Sequence, residues 1–186
     1  MYKMLNISNI KISVKTKANP HKLKVLKTNI NPKKENGSFF VHRYCGFVFS
    51  VYYSGHINVT GVKSFEKIPE VQKIIKSFYG IKKIISTSVD NITCSATINP
   101  TIYKWNRPFT SFLRDIEKEH VFDIIQYSPQ TFPGAFLKTK NCGTIVFFAT
   151  GKFNVVGCKT IKSIKKLLGD FFRSVIRVKN CTQNVL

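Results

Sequence analysis

Apolar and polar positions alternate along much of this chain, and between the alternating runs a period of three to four residues takes over. Strict alternation marks a strand with one buried face; the longer period marks an amphipathic helix. S-N-I-K-I-S-V (Ser8 to Val14) and D-N-I-T-C-S-A (Asp90 to Ala96) read as strands. F-F-V-H-R-Y, a Cys45-Gly46 turn and F-V-F-S-V-Y-Y read as a hairpin, as do F-P-G-A-F-L-K-T, a turn around Asn141 to Gly143 and T-I-V-F-F-A. Helices are predicted over Pro69 to Tyr79 and Ile161 to Val175, the latter with Ile161, Ile164, Leu167, Leu168, Phe171 and Phe172 on one face. Two shorter helices are predicted, one opened by Asn19-Pro20 and one by Pro108.

The order of these elements repeats. S-G-H-I-N-V-T-G-V-K (Ser54 to Lys63) returns as T-G-K-F-N-V-V-G-C-K (Thr150 to Lys159), at an offset of 96. Upstream, Asn9 and Asn91 match at an offset of 82, so the second copy carries about fourteen more residues between its first strand and the phrase. Each half reads strand, helix, antiparallel strands, helix, and neither supplies a comfortable core alone. The expected architecture is α+β: two pseudo-twofold repeats, 1–83 and 84–186, forming one curved antiparallel sheet with helices on one side, a single domain over residues 1–186.

Composition narrows the function. Hydrophobic residues make up 43% of the 186, which argues for a folded core. Thirty Lys and Arg against nine Asp and Glu give a net charge of +21. Such a charge calls for a negative partner, nucleic acid first and an anionic membrane surface second. The five cysteines form no C-x-x-C and have no histidines at zinc spacing, so no metal or cofactor is expected. M-Y-K-M-L-N-I-S-N-I is not a signal peptide, and no apolar run reaches membrane-spanning length, so a soluble intracellular protein is expected. No Gly-rich phosphate loop, carboxylate pair or nucleophile–base arrangement appears, and an enzyme is not expected.

If helices cover one face of the sheet, the other stays open, and the strands carry apolar residues on both alternations. An apolar open face rimmed by Lys and Arg suits a DNA minor groove; a face covered by a partner or a second copy is the alternative.

Y-S-P-Q-T-F-P-G-A-F-L-K-T-K-N-C-G-T-I-V-F-F-A-T-G-K-F-N-V-V-G-C-K, Tyr127 to Lys159, resembles the second repeat of the TATA-box-binding proteins. The first half is similar more loosely, through N-P-K-K (Asn31 to Lys34), Y-S-G-H and N-V-T-G-V-K. Asn9-Ile10 and Asn91-Ile92 match the Q-N-I that opens each family repeat, so the resemblance spans nearly the whole chain. It implies a saddle-shaped sheet whose concave face lies on the minor groove, with the helices on the convex face, and a pair of phenylalanines per repeat wedged between base steps. That family is itself a reference case of such kinking, so the bend comes with the resemblance.

The resemblance assigns the second-half wedges to Phe132 and Phe148. In the first half, Tyr52 stands at one wedge position, and either Phe39 or Phe40 at the other. Ordinary core aromatics are the alternative reading for all of these. Asn9, Asn91 and Thr60 fit the family's central base contacts, with Val156 in place of the second threonine. An amide there donates to the N3 or O2 acceptors that A·T and T·A share. Arg43, His56, Lys63, Lys138, Lys152 and Lys159 fall at or beside basic rim positions, where they contact phosphate or are simply solvated. Lys11 and Thr93 replace apolar residues, and Ser50 replaces a groove-facing leucine. The acidic residues that help the family recruit its TFIIB-type factor are here Ser128 and Gln130.

Together these features imply a divergent transcription initiation factor that binds and bends A·T-rich double-stranded promoter DNA. Its expected partners are a TFIIB-type factor and RNA polymerase subunits, and its expected location is the nucleus or a viral transcription compartment. The competing reading is a diverged saddle serving as a protein-interaction platform.

Overall fold

Alternation becomes strand wherever a helix is present to bury one face. The structure, a computed structural model, describes residues 2–17, 39–99 and 108–183. Its contacts divide the chain into two compact units, Ile7–Asn91 and Met1–Asn6 with Ile92–Leu186.

In the first, β1 (Tyr2–Thr16, its residues before Ile7 belonging to the other unit), β2 (Phe39–Tyr44), β3 (Phe47–Tyr52) and β4 (His56–Val62) pair antiparallel in the order β2-β3-β4-β1. Ile10, Ile12, Val14, Phe49, Val51, Ile57 and Val59 are fully buried on the helix side. Helix α1 (Ile68–Tyr79) lays Val71, Ile75 and Tyr79 on that side, four residues apart as one helix face requires. Pro69 opens it, and Gly80 ends it in the left-handed conformation at φ 61°. The Tyr79 ring meets Phe40 and Phe49 edge-on, and its hydroxyl is 2.7 Å from Nδ1 of buried His42.

In the second, β5 (Ile84–Ile98, its residues up to Asn91 belonging to the first unit), β6 (Ile124–Gln126), β7 (Gly134–Thr139), β8 (Gly143–Phe148) and β9 (Lys152–Cys158) pair in the order β5-β9-β8-β7-β6. Helix α2 (Phe109–Lys118) buries Phe112, Leu113 and Ile116. Helix α3 (Ile161–Gln183) buries Ile164, Leu167, Leu168, Phe171, Phe172, Val175 and Val178. Each such side chain contributes about 1.5–3 kcal/mol relative to exposure, so α3 anchors this half. Phe171 packs edge-on to Phe147 at 5.1 Å. Thr160 and Ser163 cap the helix start reciprocally: Ser163 N–H donates to Thr160 Oγ1 at 3.1 Å and Thr160 N–H to Ser163 Oγ at 3.3 Å.

The doubled phrase folds the same way twice. Gly55 (φ 84°) and Gly151 (φ 81°) make the turn before β4 and β9. Further along, the pairing Ile10↔Val62 then Ile12↔Val59 gives β4 one extra residue; Ile92↔Cys158 then Cys94↔Val155 does the same for β9. The extra residue is absorbed at Gly61 (φ 88°) and Gly157 (φ 82°), a bulge that needs glycine's left-handed backbone. The repeated N-V-x-G is therefore a strand with a built-in bulge.

Three expectations are corrected in extent. The first strand of each half runs well beyond the alternating core that predicts it, because β1 and β5 are 15 residues long. The last helix continues past Val175 to Gln183, since Val178 still finds a buried site. The short edge strand β6 was not expected, as three residues carry no usable period. The helix expected after Asn19-Pro20 and the N-P-K-K motif lie outside the described residues.

Candidate nucleic-acid interface

On the strands of the second unit, side chains facing away from the helices alternate with the buried ones. Gly134, Phe136 and Lys138 of β7 stand opposite Phe148, Val146 and Thr144 of β8, and the last two stand opposite Asn154 and Val156 of β9. Phe132 enters this face from the chain just before β7. Its ring lies 5.8 Å from that of Phe148, edge-on, and 5.3 Å from that of Phe136, stacked. Phe132 and Phe136 are each 37% exposed, an unusual state for phenylalanine.

Gly134 makes the cluster possible. A Cβ there would come within 2.6 Å of Phe132 Cε1 and 3.0 Å of Phe148 Cε1. Pro133-Gly134 thus clears a floor across which two rings lie, with Phe136 supporting the outer one. The sequence indicates Phe132 and Phe148 but misses Phe136, whose exposure depends on β7's register.

Beside Phe148 runs an open groove of about 480 Å³, lined by Ser95, Thr97, Thr150, Lys152 and Asn154. Lys138, Lys152 and Lys159 are exposed. Val156 is half-buried opposite Thr144, so this position of the face is apolar.

The first unit builds the corresponding face differently. Phe39 stands directly opposite Tyr52, and their rings stack at 5.0 Å and 28°. In the other half the residue opposite Phe148 is Gly134, so Phe39 fills the slot that glycine leaves empty there. Phe40 is corrected: it pairs with Val51 on the helix side, is 7% exposed and packs against Tyr79, and it belongs to the core. Strand alternation admits only one of the two adjacent phenylalanines to the open face, and that one is Phe39.

Between these rings and β1 the face turns polar, where an apolar one was expected. Ser50 stands opposite Asn58, and Asn58 opposite Ser13. Asn58 Nδ2 makes a long 3.5 Å approach to the Tyr52 hydroxyl, and Ser13 Oγ reaches Asn58 Oδ1 at 2.8 Å. Ser13 Oγ also contacts an Asp90 carboxylate oxygen, and Lys11 Nζ lies 3.9 Å from that same oxygen. Lys11 is thus engaged by an anion the sequence reading did not place on this face. No spacing rule signals Asp90, because it reaches Ser13 and Lys11 across 77 and 79 residues of chain.

Asn9 accepts the Gly61 N–H through Oδ1 at 2.7 Å, which fixes the amide beside Thr60 and directs its NH₂ elsewhere. Thr60 is half-buried opposite Val48, and Asn91 is half-buried in β5. Arg43, His56 and Lys63 are exposed. Ser128 and Gln130 are exposed in the segment before Phe132. Behind the faces, burial lowers the His42 pKa, raises that of Tyr79 and pushes the Cys158 thiol up to about 11.

The sequence model of the family described as transcription factor TFIID (or TATA-binding protein, TBP) matches residues 86–178. No curated protein matches the chain by sequence. Among solved structures the chain is similar to the TBP of Methanococcus jannaschii, with a TM-score of 0.70 and 20% identity, over 93% of this chain and 98% of that one. At that identity the likeness establishes the fold, the α+β fold of a TATA-binding protein. The matched stretch covers half of the sequence, and this chain belongs to the TATA-binding protein family of transcription factors.

Proposed function

We propose that this protein is a transcription initiation factor that binds A·T-rich promoter DNA through the minor groove and bends it, with the repeats 1–83 and 84–186 acting as one DNA-binding domain. The observation that carries this reading is the cluster of exposed Phe132 and Phe136 with half-buried Phe148, laid over Gly134 and flanked by exposed Lys138 and Lys152. An apolar wedge inserted at a base step costs a few kcal/mol of unstacking, which the wider contact with bent DNA offsets. Phe132 and Phe148 are the wedge of the second half; Phe39 with Tyr52 is a weaker one in the first. Asn9, Asn91 and Thr60 donate to base acceptors, Val156 makes apolar contact, and Arg43, Lys63, Lys138, Lys152 and Lys159 meet phosphates. The protein acts without catalysis or cofactor, in the nucleus or a viral transcription compartment, alongside a TFIIB-type factor and polymerase subunits. Affinity and bend angle on A·T-rich and G·C-rich duplexes, for the parent and for Phe132→Ala/Phe148→Ala, test this reading. Sequence-blind, unbent binding that survives the double substitution contradicts it.

A second reading, an assembly platform with weak DNA binding, draws on Asp90 and the polar first-half face. A pull-down with purified polymerase subunits and a TFIIB-type factor, without DNA, tests it. Capture that Phe132→Ala/Phe148→Ala leaves intact, together with absence of a DNA bend, favours the platform.

A further inference from the structure

Asp90 brings a carboxylate with about four lone-pair sites to the polar face of the first unit, and Asn58 brings Oδ1 together with an NH₂ that approaches the Tyr52 hydroxyl. Against them stand the Ser13 hydroxyl, which contacts both Asp90 and Asn58 Oδ1, and Ser88 Oγ, at 3.3 Å from Asp90 Oδ1. Ser13 has one proton to donate and so serves one of its two acceptors at a time. Lys11 Nζ, at 3.9 Å, neutralises the carboxylate without a short hydrogen bond. The Asp90 side chain keeps 32% of its surface exposed, so the surplus acceptor capacity is reachable.

An A·T minor groove cannot use that surplus. Its floor presents only the adenine N3 and thymine O2 acceptors, against which a carboxylate is a mismatch. A G·C pair adds the one donor of the minor groove floor, the guanine 2-amino group. Resting on the minor-groove reading above, we propose that Asp90, seconded by Asn58, reads a guanine 2-amino group, and that the DNA site of this protein includes a G·C pair beneath the first half. The Phe132 half, with Val146, Asn154 and Val156 on its face, has no carboxylate among these positions and keeps the preference for A·T.

Two base analogues isolate the amino group. Inosine removes it from a G·C-like pair, and 2,6-diaminopurine adds it to an A·T-like pair. Each position of an A·T-rich duplex is replaced in turn by guanine, inosine or diaminopurine, and affinity is measured with the full chain. At one or more positions guanine binds tighter than inosine, and diaminopurine tighter than adenine, by about fivefold, the worth of one hydrogen bond. Asp90→Ala abolishes that ratio while leaving all-A·T binding equal or tighter. Asp90→Asn, which keeps the side-chain shape, guards against misfolding and also reduces the ratio.

An amino group that weakens binding at every position overturns the proposal, as does an Asp90→Ala effect equal for guanine and inosine. If either occurs while the all-A·T duplex is still bound and bent, the proposed function stands and only the guanine reading falls. If the all-A·T duplex is neither bound nor bent through its minor groove, both fall.

Discussion

At the scale of single residues, the proposed second-half wedge rests on one missing Cβ. Gly134→Ala pushes a methyl to within 2.6 Å of the Phe132 ring, so that ring must swing out or the strand must shift. The expected cost is about 1–3 kcal/mol in urea unfolding, the usual price of overpacking, with a loss of DNA bending larger than the stability loss explains. Phe132→Ala, by contrast, removes a ring already 37% exposed. It is expected to cost stability about 1 kcal/mol or less, yet to weaken DNA binding about tenfold. Equal effects on folding and on DNA would mark Phe132 as a core residue. The left-handed glycines differ in a testable way. At Gly61 a Cβ would lie 2.4 Å from the Gly46 carbonyl oxygen, whereas at Gly157 the nearest atom is 3.6 Å away. Gly157→Ala is expected to lose about 1–2 kcal/mol from backbone strain alone, and Gly61→Ala distinctly more; similar losses at the two would refute the close approach.

At the scale of elements, α1 is tied to its strands through the buried His42–Tyr79 contact. Burial holds the His42 pKa below its ordinary 6.5, so the unfolded chain takes up the proton first as pH falls. Stability from this group is therefore complete above about pH 6.5 and lost below it, down to the folded-state pKa. The urea midpoint is expected to drop between pH 7.5 and 5.5, and His42→Gln to flatten part of that drop. An unchanged slope in the variant would remove His42 as the cause. Elements with a strong period were legible in the sequence: the α3 stripe from Ile164 to Phe172, although Ile161, expected at its start, is exposed, together with the two hairpins and the glycine-marked phrase. What escaped had no local signal. Phe39 and Phe40 are adjacent aromatics, and only the register against Tyr52 and Val51 separates their faces. Phe136 reads as an ordinary strand residue until β7 is paired, and Asp90 gains meaning only from Ser13 and Lys11, far away in the chain.

At the scale of the whole molecule, a net charge of +21 makes phosphate attraction the leading contribution to any DNA affinity. Affinity is expected to fall steeply with salt, and Lys152→Ala to lower the slope of log K against log salt by about one while leaving sequence preference intact. Charge alone, however, predicts binding and not bending. In the proposed function the bend depends on the Phe132–Phe148 rings, and it separates a minor-groove wedge from a merely sticky basic surface. The most direct measurement is therefore the bend angle of an end-labelled A·T-rich duplex by resonance energy transfer, with and without Phe132→Ala/Phe148→Ala, at a salt concentration where both proteins bind. The parent is predicted to bring the duplex ends together sharply, and the variant to bind with the duplex much straighter. A parent that binds without bending, or a variant that bends as well as the parent, would contradict the account.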